Sequence, residues 1–267
     1  MEIIGYFCSI LIGMSLGLIG SGGSILTVPV LVYLMHINPL IATTSSLFIV
    51  GATSLVGGIR SYSKKLVDFE AVTEFGIPSI FSIFVARHYL LPALPDHFIT
   101  IGKISVSREM FLMIAFALLM LVAGISMLRS IHIRSNGGEN DEDRQNKSLP
   151  LVLLGLIIGV ITGLLGAGGG FLIIPSLVLF LKIQMKTAVG TSLFIIAINS
   201  LLGFLFSLKQ FEYDWMLLLS FTALSIAGLF IGIKLSDKIS GLKLKQVFGC
   251  FVLLMGLYIM VKEIFIR

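Results

Sequence analysis

The sequence predicts an all-α polytopic membrane protein made of two homologous repeats, each with about five apolar segments. Three observations carry that reading. Hydrophobic residues make up 57% of the 267-residue chain and charged residues only 12%. With a mean hydropathy of +1.05, this is far more apolar than a single soluble core requires. No Asp, Glu, Lys or Arg interrupts Ile3 to Ile59, Ser148 to Leu181 or Thr187 to Leu208; each run is long enough to supply the roughly 20 helical residues that cross a hydrocarbon core. Gly17 to Asp68 also matches Gly163 to Asp214 at 20 positions, with a constant offset of 146 and no gap. A β-barrel would need alternating strands of about ten residues, and the continuous Leu, Ile, Val and Phe runs do not alternate.

Charge and turn residues divide the first half into apolar segments at 3–19, 25–35, 40–59, 69–90 and 109–128. The first is read as a retained segment: Glu2 is the sole early charge, so no basic region precedes it, and no small-x-small cleavage site follows it. The second is too short to cross alone, because about 11 residues at 1.5 Å each reach only some 16 Å. It reads as a broken or re-entrant helix. Asn38 and Pro39 have the character of an N-cap and first helical residue for the third segment. The second half repeats the series at 149–165, 171–181, 187–208, 215–233 and 245–261. Between the halves, SNGGENDEDRQNK is too polar to pack and reads as a solvated linker. The organisation is therefore a first repeat at 1–129, a linker at 130–148 and a second repeat at 149–267.

If the short segments cross, there are ten spans and the halves are inverted; if they return, there are eight and the halves are parallel. Ten crossings put 13 Lys and Arg residues on one face and 6 on the other, whereas eight divide them 10 to 9. The positive-inside rule thus favours inverted halves with both termini outside. The net charge of +5 is explained by this orientation, with no nucleic-acid partner implied. The partners expected are the lipid bilayer and a small solute.

Two matched constellations could hold that solute. The glycine clusters Gly20, Ser21, Gly22, Gly23, Ser24 and Gly166, Ala167, Gly168, Gly169, Gly170 each precede a short helix. Non-helical backbone at membrane depth survives where protein buries it or a cavity hydrates it, and a helix N-terminus offers free N–H groups and a positive dipole end to an anion. The same glycines could instead serve close helix packing. Thr43, Thr44, Ser45 and Ser46 align with Val189, Gly190, Thr191 and Ser192, and both runs continue Leu-Phe-Ile. Ser45, Ser46, Thr191 and Ser192 are the hydroxyls assigned to substrate. Ser46, Ser54, Gly57 and Ser61 recur as Ser192, Ser200, Gly203 and Ser207 along one helical face, a polar path or a packing seam. Pro29 and Pro175 each free a carbonyl within a short helix.

Among ionisable residues, Glu74 is the candidate for carrying a coupling proton, one helical turn after Glu70. Arg60, Arg87 and His88 read as segment-end groups, and Tyr213 with Trp215 as an aromatic belt. Cys8 and Cys250 stand alone without His partners, so neither disulfide nor metal is expected. No Walker, zincin or G-x-S-x-G signature occurs, which argues against an enzyme or primary pump and implies no cofactor.

The signatures GSGGSILTVPVL with TTSSLF and GAGGGFLIIPSL with VGTSLF resemble the duplicated modules of the sulfite exporter TauE/SafE family of membrane permeases. The second module is the closer match, because Ser21, Ser24 and Thr44 replace small family-typical residues in the first. The resemblance implies a secondary transporter or facilitator of the plasma (inner) membrane. It implies a small anion as substrate, often sulfite or an organosulfonate, moved without ATP hydrolysis. A non-transporting scaffold or accessory subunit, whose glycines only pack helices, is the alternative.

Overall fold

The computed structural model describes residues 2–20, 23–95, 97–101, 104–129, 148–166, 168–181, 183–236 and 241–263. The order along the first half is α1 (Glu2–Ile19), α2 (Ser24–Tyr33), α3 (Pro39–Ser63), α4 (Phe69–Val85), a π-helical turn (Ala86–Leu90), α5 (Leu91–Ala93), β1 (His97–Ile101), β2 (Ile104–Ser107) and α6 (Arg108–Arg129). The second half runs α7 (Ser148–Leu165), α8 (Gly170–Phe180), α9 (Met185–Ser207), α10 (Trp215–Ser236) and α11 (Gly241–Val261). The expected segments are all present, and the short second helix of each half is 10 and 11 residues long. The stretch between α5 and α6 adds a small antiparallel hairpin, with Ile101 opposite Ile104. Most of the linker, 130–147, lies outside the described residues.

Capping explains where several helices begin. Asn38 Oδ1 accepts the Leu40 N–H at 2.9 Å with Pro39 behind it, as the sequence suggests. Asp68 caps α4 by accepting from the Ala71 N–H, and its repeat mate Asp214 caps α10 by accepting from Leu217. Among the described residues, four spans are long and apolar enough to cross a bilayer by length and composition: Pro39–Ser63, Phe69–Ala93, Lys186–Ser207 and Trp215–Ser236. Phe7, Ile77, Phe81 and Met216 point outward, an exterior suited to lipid rather than water.

Close glycine contacts set how the helices pair. Gly13 lies against the backbone of Ser225, Gly17 against Leu229, Gly228 against Ile10 and Gly232 against Met14. Residue numbers rise together, so α1 and α10 run parallel through small residues four apart on facing surfaces. Gly155, Gly159 and Gly163 likewise seat α7 parallel to α4, on Phe75, Ser79 and Ala86. The third helices meet differently: Gly51 faces Leu201, Gly58 faces Phe194, and Gly203 faces Leu47. There rising numbers meet falling ones, and α3 is antiparallel to α9. The last pair repeats this sense, with Gly124 at Leu253 and Gly256 at Met120. Each repeat's first helix therefore packs on the other repeat's fourth, while third packs on third and fifth on fifth in antiparallel sense.

Candidate functional site

The glycine elbows sit where the repeats interlock. Gly20, Gly166, Gly168 and Gly169 have φ of +83°, +68°, +65° and +68°, a left-handed backbone that side chains disfavour. Gly20 backs onto Val189 at the start of α9, and Gly166 onto Thr43 at the start of α3. These are repeat-related contacts, each elbow touching the opposite half. Gly23 rests on the Ile12 carbonyl and Leu16 of its own α1, while Gly169 rests on Thr162. Ser24 and Gly170 open α2 and α8 and are buried. Ser21, Gly22 and Ala167 fall outside the described residues.

Hydroxyls that look equivalent in sequence have different partners. Ser46 Oγ donates to the Gly166 carbonyl at 2.9 Å, tying α3 to the second elbow. Its repeat mate Ser192 instead donates to Val189 of its own helix at 2.8 Å. Thr191 Oγ1 accepts the Asp68 N–H at 2.9 Å, so it bridges the halves. Ser45 is buried beside Ser46. Glu74 is half-buried in the second turn of α4, near Glu70 and Leu181.

Around the second elbow several buried polar atoms have no partner. Ser200 and Thr162 lie behind Gly168 and Gly169, and neither hydroxyl is hydrogen-bonded. Ser54, the mate of Ser200, is also buried and unpaired. Asn199 donates to Ser79 Oγ at 2.7 Å, leaving its Oδ1 unmet. Each orphaned group costs about 1–3 kcal/mol away from water.

The segment-end reading of Arg87 does not hold. Arg87 is fully buried within the π-helical turn, although it stands only six residues, about 9 Å of helix, before the end of the Phe69–Ala93 span. Its Nη1 donates to Thr44 Oγ1 at 2.8 Å, whereas Nε and Nη2 have no partner. Among the described residues no carboxylate faces it. Gln210 Nε2 donates to the Arg87 carbonyl at 3.4 Å, and the Tyr213 phenol donates to the Ser207 carbonyl at 3.0 Å. Burial pushes the Tyr213 phenol up, against the opposing pull of a Thr44 hydrogen bond and the Arg87 charge; it remains a neutral donor. Gly163, just before the second elbow, backs onto Ala86, so Arg87, Thr44 and Ser46 gather beside that elbow. A cleft of about 290 Å³ lined by Leu40, Leu91, Pro92, Arg108, Gln210 and Phe211 lies alongside. One signal for Arg87 was available: the second repeat has Ile233 at the matching place.

Residues 6–259 match the family described as Sulfite exporter TauE/SafE. The chain belongs to the sulfite exporter TauE/SafE family. Relatives named as probable membrane transporter proteins include one from Xylella fastidiosa (strain 9a5c), 28% identical over 93% of this chain and 91% of its own length. Another, from Methanocaldococcus jannaschii, is 27% identical over 94% of both chains. A third, from Bacillus subtilis (strain 168), is 26% identical over 92% of this chain and 94% of its own. No solved structure matches. This TauE/SafE member is an integral, multi-pass membrane transporter.

Proposed function

We propose that this transporter moves a small anion such as sulfite or an organosulfonate across the plasma (inner) membrane, as a secondary transporter or facilitator. The observation that carries the reading is the chemistry of the interior. Among the described residues, the buried polar side chains of α1 to α11 are Ser, Thr and Asn together with the single cation Arg87; the one buried acid, Glu263, follows α11 and accepts from Tyr33. Described helices that bury donors and no carboxylate suit an anion and oppose a cation.

The antiparallel contacts of α3 with α9 and of α6 with α11 support an inverted arrangement of ten crossings. Alternating exposure of a site between the repeats follows naturally from such an arrangement. The substrate contacts proposed are the second elbow, Gly168 to Gly170 with Ala167, and the hydroxyls of Ser45, Ser46, Thr191 and Ser192. Their first-repeat counterparts are Ser21, Gly22, Gly23 and Ser24. Glu74 is the proposed carrier of a coupling proton. Gly23, packed on the α1 backbone, suits the scaffold alternative at that one position. Flux through purified protein in vesicles tests the reading with a panel of sulfite, methanesulfonate and acetate. Saturable uptake of at least one anion is expected, and no uptake of any would favour the scaffold.

A further inference from the structure

We propose that Arg87 is the countercharge of an oxyanion site, taking a soluble anion that presents two oxygens from one centre: a sulfite, sulfonate or carboxylate. The proposal rests on the anion-transport reading and assigns its binding site.

Nη1 is spent on Thr44, while Nε and Nη2 are both buried and unpaired. Those two N–H groups form the side edge of the guanidinium fork, the edge that meets two oxygens of a carboxylate or similar anion in parallel. A halide is a single centre and can only bridge the two, without the pair of parallel, near-linear bonds that two oxygens make.

A structural role does not account for this arrangement. A buried cation that only braced the fold would be expected to spend its donors on carbonyls or a carboxylate, and this one leaves its bidentate edge open. The other repeat builds the same helix with Ile233, so the duplicated architecture does not require a charge here. Within the first repeat, regular helix gives way to a π turn at Ala86–Leu90, a local irregularity that recurs at functional sites.

A cleft lies one side chain away from the buried guanidinium. The 290 Å³ cleft is lined by Leu40, one turn before Thr44, by Leu91, one turn after Arg87, and by Gln210, which holds the Arg87 carbonyl. Arg108 lies on the same lining. A side-chain movement at Gln210 or Leu91 would join cleft and guanidinium.

The test is thermal unfolding of the purified full-length protein, wild type, Arg87→Met and Arg87→Lys. Each is measured with sulfite, methanesulfonate, chloride at equal ionic strength, neutral dimethyl sulfone, or phosphatidylglycerol. Oxyanions are expected to raise the wild-type midpoint, and chloride and the sulfone not to. Arg87→Met should fold without loss of midpoint and lose the response; Arg87→Lys, which keeps charge but not the fork, should need at least tenfold more oxyanion. A wild-type response in Arg87→Lys, or in a folded Arg87→Met, would overturn the proposal. So would an Arg87-dependent response to phosphatidylglycerol alone, which would make the occupant a lipid headgroup. Vesicle flux separates the two levels: anion uptake unchanged by Arg87→Met removes this site and keeps the transport reading. Wild-type protein that binds oxyanions through Arg87 yet moves none keeps the site and removes the transport reading.

Discussion

Ser46 and Ser192 occupy matching places in the two repeats, and their alanine variants are expected to behave differently. Ser46 Oγ is the hydrogen-bond donor to the Gly166 carbonyl, at 2.9 Å across 120 residues of sequence. Ser46→Ala leaves that carbonyl without this donor at the second elbow, costing about 1–3 kcal/mol. For a chain of this size that corresponds to a fall of roughly 2–12 °C in unfolding midpoint, taking about 2–4 °C per kcal/mol. Ser192 donates to Val189 within its own helix, a back-bond whose removal frees no distant group and is worth little. Ser192→Ala should stay within about 0.5 kcal/mol of wild type. Unfolding of the purified variants in detergent, followed by intrinsic fluorescence, reads both. Equal midpoints in the two variants would refute the assignment of Ser46 as the tie between α3 and the elbow.

Three further outcomes are expected. Gly159→Leu should fail to give monodisperse protein, because any Cβ there meets the Ser79 α-carbon and Ser82 Cβ at 2.8 Å across the α4–α7 contact. Gly76→Ala, whose nearest neighbour would be Val72 of its own helix at 4.0 Å, should fold normally and gain up to about 1 kcal/mol from helix propensity; the reverse ranking would contradict the packing described. Ser54→Ala and Ser200→Ala remove unpaired hydroxyls, so neither should lower the unfolding midpoint, and a clear fall in either would reveal a structural bond. In a background with Cys8 and Cys250 changed to serine, cysteines replacing Ser135 in the linker and Lys209 after α9 should react with impermeant thiol reagents from opposite faces. Labelling from one face would return the halves to a parallel arrangement.

Helix positions were legible because lipid leaves so few solutions. A segment must satisfy its own backbone inside the membrane, so charge-free runs and turn residues marked the segments to within a few residues, and Asn38 with Pro39 marked the start of α3. The duplication is read from the sequence itself, where Gly17 to Asp68 matches Gly163 to Asp214 without a gap. Pairing between halves is not, since Gly13, Gly17, Gly228 and Gly232 reveal small faces but not which faces meet. Arg87 was misread for a related reason. Distance along the sequence to a segment end measures depth along one helix, and says nothing of the α3 turn and the α9–α10 connection that enclose the side chain. The matched hydroxyls stand out in the sequence, yet their equivalence does not distinguish the cross-repeat bond of Ser46 from the local bond of Ser192.

On the proposed reading, the interior selects a small anion by its donors and the buried Arg87 charge. Initial uptake of methanesulfonate and of its neutral isostere dimethyl sulfone into the same vesicles, corrected for protein-free leak, tests it most directly. Saturable methanesulfonate uptake is expected at least tenfold faster than that of the sulfone, a ratio equivalent to about 1.4 kcal/mol of charge selection. Equal corrected rates for the two would contradict it.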